Sequence, residues 1–158
     1  MIGIDPGLAG TGLGVVSGDG DIPVQYAFGS IGTDKKQPLC RRLDYIYART
    51  LDFLAQEKPD LVVIEDIFTL NKFPRSGVLL GKVAGVLMVA AFRAGASVEE
   101  ISVREAKKLV SGSGSADKFQ VEKSVRNLLN HGQQIRPFHA SDALALAISG
   151  YYRSFRKK

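Results

Sequence analysis

The sequence contains one cysteine, Cys40. A lone thiol excludes an internal disulfide and leaves no thiolate cluster for a zinc or iron–sulfur centre, which fits a reducing compartment. Cys40 precedes Arg41-Arg42 in a helical pattern, where it is expected as a small buried apolar residue and not as a nucleophile. Long apolar runs are lacking as well. The most apolar segment, Val78 to Phe92, contains Lys82 and is shorter than the roughly 20 residues a membrane span needs. The N-terminus enters a strand pattern at once, without the basic region and apolar core of a targeting signal. The expectation is a soluble cytoplasmic protein with no membrane association. Internal repeats and interdomain linkers are also missing, so residues 1–158 are expected to form a single domain.

What is present is an ordinary globular composition, 45% hydrophobic and 23% charged, with a net charge of +5. A moderate positive excess favours a polyanionic partner without identifying one. The patterning predicts strands at Met1 to Asp5, Leu13 to Ser17 and Val24 to Ile31, with the glycine-rich Pro6 to Gly12 as a tight antiparallel connection. Pro38 to Gln56 has a helical period with one wet face, and Leu61-Val-Val-Ile64 reads as a buried strand. Ser76 to Arg93 is predicted as a helix apolar on more than one stripe, which must bury one face on its sheet and offers another, with Leu87, to a second copy. A strand at Ser97 to Ile101 follows. Ser102 to Glu105 has the form of a capping box opening a helix to Val110. Gly112 to Lys118 is predicted as a flexible linker, and helices are expected at about Asp117 to Asn130 and His139 to Tyr152, then a basic tail from Arg153. The fold class is α/β: a mixed sheet whose first three strands are antiparallel.

Two of these strands end on carboxylates. Asp5 closes the first, and Glu65, followed by Asp66, closes the Leu61 strand. In open α/β sheets ligands bind at that edge. Side by side, Asp5 and Glu65 would raise each other's pKa unless a cation lay between them. His139 and Asp142, three apart, share a face at the start of the last helix. Alone, Ser141 or Asp142 could simply cap that helix and His139 could lie in the loop before it. In company with Asp5 and Glu65, oxygen ligands with one nitrogen suit Mg²⁺ or Mn²⁺, and two such ions suit phosphodiester hydrolysis.

Five segments, in order and spacing, resemble the RuvC family of crossover junction endodeoxyribonucleases: Gly3-Ile-Asp-Pro-Gly7 with Gly12, Ile64-Glu-Asp-Ile-Phe68, Leu80-Gly81 with Gly85, Gly112-Ser-Gly-Ser-Ala-Asp-Lys118, and Ser141-Asp-Ala-Leu-Ala-Leu-Ala147. The resemblance covers nearly the whole chain. It implies an RNase H-like fold with helices on both faces of a five-stranded sheet, and a homodimer that resolves four-way DNA junctions by paired symmetric nicks in recombination and repair. It also implies Asp5, Glu65, His139 and Asp142 as the metal-binding catalytic set, and the RuvA-RuvB branch-migration complex as a partner to test. Phe68 would stack on a junction base. Lys107 and Lys118 would contact DNA near the scissile phosphate, and Lys72 and Arg75, with Lys82 and Lys108, add positive charge on nearby loops and helix starts.

Two departures stand out. Many family members carry aspartate where His139 stands, so activity is expected to fall as His139 protonates, near or below about pH 6.5. The Thr69 to Arg75 loop and Lys82-Val-Ala84 differ from the family pattern, so base preference does not transfer. Other readings are a catalytically weak junction-binding protein, a nuclease of the same fold acting on RNA–DNA hybrids or other branched substrates, and an actin-like ATPase, for which 158 residues are too few.

Overall fold

The computed structural model describes residues 1–67 and 74–156. Phe68 and Lys72 therefore lie outside the described residues, as do Lys157 and Lys158. The elements run β1 (Ile2–Asp5), β2 (Gly10–Ser17), β3 (Gln25–Gly32), α1 (Leu39–Glu57), β4 (Leu61–Glu65), α2 (Pro74–Arg93), β5 (Ser97–Ile101), α3 (Val103–Ser111), α4 (Lys118–Leu128) and α5 (Phe138–Arg156). The strands form one sheet in the order β3-β2-β1-β4-β5. β1 pairs antiparallel with β2 and β2 with β3, whereas β1–β4 and β4–β5 are parallel. This is the mixed α/β sheet that the strand patterns predict.

Strand side chains alternate between the two faces, and each face carries a core. Ile2, Ile4, Val62 and Ile64 pack with Ile46 and Leu54 of α1 and Val83 and Leu87 of α2. Each such aliphatic, fully withdrawn from water, contributes about 1.5–3 kcal/mol. On the opposite face Val16 joins Val121 and Val125 of α4 and Leu144 and Ile148 of α5.

The α5 face is built differently, because the strand residues beneath the helix are glycines. A Cβ on Gly3 would fall 2.0 Å from the Ala143 carbonyl oxygen, and one on Gly14 would fall 2.5 Å from the Leu144 nitrogen. Gly3 and Gly14 are cross-strand partners, so α5 rests directly on the β1–β2 backbone. Glycines thus belong to the strands here: β2 begins at Gly10, and the connection is shorter than the Pro6 to Gly12 loop predicted from sequence. Thr11 Oγ1 donates to the Gly7 carbonyl at 2.9 Å and fixes that turn.

Several expectations are corrected. Cys40 is exposed, because it lies on the wet side of the first turn of α1. Leu87 is fully buried, so it is not part of a free face of α2; the exposed apolar residues there are Val78, Leu79, Val89 and Phe92. By length and composition alone α2 could cross a membrane from Arg75 to Arg93, which its sequence pattern understated. Its apolar character is accounted for on one side by the core, where Val83, Leu87, Ala90 and Ala91 have no exposure. Residues 112–117 are not a slack linker. Gly112 ends α3 in the left-handed region at φ 78°, the Ser113 and Ser115 hydroxyls bond at 3.0 Å, and the chain re-enters helix at an Asp117–Gln120 capping box. At Ser102 only half of the expected box is seen, the Ser102 hydroxyl accepting from the Glu105 N–H. Finally, the basic tail is helical through Arg156, and Arg153 pairs with Glu99 at 3.7 Å and Glu105 at 3.5 Å.

Candidate active site

The site forms where three elements end or begin. The parallel register Ile4↔Ile64 makes the next residues, Asp5 and Glu65, neighbours at the carboxyl edge of the sheet. α5 brings Asp142 to them. The closeness of that helix follows from Gly12, the cross-strand partner of Asp5, on which a Cβ would lie 2.0 Å from the His139 carbonyl oxygen. The capping alternative for residues 141 and 142 fails, since α5 already begins at Phe138 and the Ser141 hydroxyl donates to the Phe138 carbonyl at 2.7 Å.

The three carboxyl groups act on one another. Burial pushes Asp5 up to about 9, helped by its hydrogen bond with Glu65 and by the charges of Glu65 and Asp142. Burial also raises Glu65, against the opposing pull of the Asp5 hydrogen bond and of Lys107. Asp142 rises to about 6 through burial and the Glu65 charge, with Lys107 again opposing. Asp5 and Glu65 thus act as a coupled pair that holds a proton between them in the metal-free protein. Partly buried carboxylates compensated mainly by one lysine attract either protons or cations. A donor set of hard oxygens fits a divalent metal ion, which would take the place of that proton.

His139 stands apart from this mutual repulsion. Its imidazole lies over Gly10, where a Cβ would be 2.9 Å from Cε1, and burial alone lowers its pKa. Among the described residues, no group of three or more His, Cys, Asp or Glu side chains stands in ready coordination geometry. The structure thus joins Asp5, Glu65 and Asp142 through their charges and leaves His139 on the same α5 face, one turn earlier.

Beside the carboxylates lies a cleft of about 220 Å³ lined by Glu65, Asp142, Lys107 and Lys118 on an apolar floor of Val103, Ala106, Val121, Ala145 and Leu146. Lys107 is half-buried and anchored by donating to the Ala116 carbonyl at 2.7 Å. Lys118, the first residue of α4, is exposed. Arg75 and Lys82 are exposed on α2 and are not among the residues lining the cleft. Lys108 faces a separate cavity with Ser102, Arg104, Glu105 and Ser113, which removes it from the carboxylate edge where the sequence reading had put it.

Two features were missed in the sequence. The glycine seat of α5 had a signal, glycines within strand patterns. The second is Glu122, which is 4% exposed and accepts from the Ile135 N–H at 3.0 Å and from Arg126 Nε at 3.1 Å. It ties down the loop that leads into Phe138 and His139. A charged residue in a helical pattern gave no local sign of that role.

A β3-β2-β1-β4-β5 sheet with acids at the ends of β1 and β4 and on α5 defines a metal-dependent nuclease of the RNase H-like class. The family profile described as Crossover junction endodeoxyribonuclease RuvC matches residues 1–150, and the chain belongs to this family. The crossover junction endodeoxyribonuclease RuvC of Erythrobacter litoralis is 37% identical over 149 residues, covering 94% of this chain and 90% of the relative. The structure of Thermus thermophilus RuvC in complex with a Holliday junction substrate superposes with a TM-score of 0.90 at 31% identity, over 99% of this chain and 94% of that one. The yeast mitochondrial Holliday junction resolvase Ydc2, at 11% identity and a TM-score of 0.61, shares the fold.

Proposed function

We propose that this protein resolves four-way DNA junctions by paired symmetric nicks, serving recombination and repair, with Asp5, Glu65 and Asp142 as the carboxylates that hold the catalytic cations and His139 completing the set. The observation that carries this reading is the meeting of three partly buried acids at one sheet edge, each raised chiefly by burial, beside a cleft edged by Lys107 and Lys118. Mg²⁺, or Mn²⁺ in its place, two per site, would supply an activated water and a stabilised leaving oxygen. The protein's own part is positional. Strands β1 and β4 fix two acids, the glycine seat fixes the third, and Lys107 holds their charge within range of a cation. Lys118 faces a phosphate entering the cleft and offsets charge that develops there.

Paired nicks need two sites, which favours a homodimer. The exposed apolar row Val78, Leu79, Val89 and Phe92 on α2 supports that contact. Arg75, at the start of the same helix, and Lys72 and Phe68 just before it would meet DNA arms. A RuvA-RuvB motor would work on the same substrate.

The test is cleavage of a synthetic junction with Mg²⁺ and with Mn²⁺, nicks mapped on all four strands, beside Asp5→Asn. Symmetric nicks by the unaltered chain and none by the variant support the proposal. Cleavage that survives in Asp5→Asn overturns the assignment, and preference for an RNA–DNA hybrid in competition overturns the substrate. One observation favours a second reading, a junction-binding protein of low activity: the His139 ring lies over Gly10, and among the described residues no three ligating side chains stand together in coordination geometry. Tight junction binding with no nick in either metal would establish it.

A further inference from the structure

We infer that Phe119 is a stacking platform for an unpaired nucleobase next to the phosphate to be cut, an inference that rests on the DNA-cleaving reading above. Phe119 is the second residue of α4 and is 59% exposed, unusual for an aromatic ring at a well-ordered helix start. The ring is not loose. It stands perpendicular to Phe138, with centroids 5.1 Å apart and planes at 87°, and Phe138 immediately precedes His139 on α5.

Two cations attend this pair. Lys118 Nζ lies 5.4 Å from the centroid of Phe119 and 4.9 Å from that of Phe138, and the Arg136 guanidinium lies 3.9 Å from Phe138. Arg136 is itself held, donating to the Ile135 carbonyl and to Gln134 Oε1 at 3.0 Å each. The carboxylate nearest in sequence, Asp117, accepts from the Phe119 and Gln120 N–H groups at 2.8 and 2.9 Å, as the helix cap. An open aromatic ring held rigidly among cations is the arrangement that binds single-stranded nucleic acid, with a base stacked on the ring and phosphates on the charges. A duplex offers no free base face, but a branch point does. Location decides which base. Lys118 belongs both to this cluster and to the lining of the carboxylate cleft, so a nucleotide on Phe119 neighbours the one whose phosphate lies at Asp142 and Glu65.

The experiment uses the full chain and a synthetic four-way junction carrying 2-aminopurine beside the nick mapped for the unaltered protein. With Phe119→Leu, which keeps an apolar contact to Phe138 but cannot stack, junction affinity is expected to fall roughly tenfold. The change in 2-aminopurine fluorescence on binding is expected to shrink while the salt dependence of binding stays the same, because no phosphate contact is lost. Phe119→Trp should keep both the affinity and a fluorescence change on binding. Should the leucine variant loosen α4, the tryptophan variant still decides, since a ring that takes over the stack must restore both the affinity and a fluorescence change on binding. Cleavage by the unaltered chain with an undiminished fluorescence change and affinity in Phe119→Leu overturns the platform alone. A chain that neither binds nor cuts any junction overturns it together with the function it rests on.

Discussion

The backbone of His139 lies on Gly12: a single carbon added to Gly12 would come within 2.0 Å of the His139 carbonyl oxygen. Gly12 pairs with Asp5 across the hairpin, so the same contact that seats α5 sets the distance from Asp142 to the acids on the sheet. Gly12→Ala must therefore push α5 away or break the β1–β2 ladder, at a cost of at least about 2 kcal/mol for an overpacked site facing backbone. Chemical denaturation should show that loss, and junction cleavage should fall even at temperatures where the variant stays folded. Gly29→Ala on β3, where an added Cβ meets nothing within 4 Å, is the control and should change neither.

The second prediction concerns protons and cations. The carboxyl of Asp5 ionises at about 9 in the fold against an ordinary 3.8, and that of Asp142 at about 6. Between those limits the native state holds more protons than the unfolded chain, so stability of the metal-free protein should decline as pH rises from about 4 toward 9. A divalent cation held by these acids would take over the proton's role, so it should stabilise more at high pH than at low. Thermal unfolding with and without Mg²⁺ at pH 5.5 and 8.5 measures this. The Mg²⁺ shift should be larger at pH 8.5, and Asp5→Asn should flatten both the decline and the shift. An equal shift at both values would mean that the ion binds elsewhere.

How far these acids could be read from the sequence follows from their surroundings. Asp5 and Glu65 interrupt apolar strands, where a charged residue at the end of a buried run stands out against its neighbours. Their adjacency was not legible in either strand alone; the parallel β1–β4 register supplies it. Asp142 gave no such contrast; in isolation it resembled a cap, and only the glycines beneath α5 show why that helix must lie here. Cys40 was misjudged because its neighbours set a helical period but not which side of that helix is wet. Phe119 and Phe138 are 19 positions apart and meet only because α4 folds back along α5, a contact that no local pattern announces.

The exposed row on α2 gives a third prediction. Val78, Val89 and Phe92 recur at helical spacing and are 56%, 50% and 77% exposed, and Gly81 and Gly85 leave open space between them. If this row joins two copies, Phe92→Glu should turn a dimer into a monomer in sedimentation without lowering the unfolding temperature. The monomer should then nick one strand of a junction without coordinating the second cut. Leu87→Glu cannot report on the interface, because Leu87 lies in the core and a buried unpaired charge there unfolds the domain. A Phe92→Glu protein that remains dimeric would move the contact to another surface.

The last prediction separates Lys107 from Lys118. Lys107 lowers the pKa of both Glu65 and Asp142, whereas Lys118 contributes to neither. Replacing Lys107 with methionine keeps most of its apolar stem but removes the charge, so both acids should hold their protons to higher pH. The acid limb of the cleavage profile should then move upward, with its plateau recovered at alkaline pH or at raised Mg²⁺. Lys118→Met should lower single-turnover cleavage at every pH and leave the acid limb in place. His139 adds a limb of its own below the ordinary histidine value, because burial favours its neutral form. The His139→Asn variant should lose that limb and respond to Lys107→Met as the parent does. If Lys107→Met and Lys118→Met gave the same uniform loss, Lys107 would be a phosphate contact only, and the electrostatic link from α3 to the acids on β4 and α5 would have no part in catalysis.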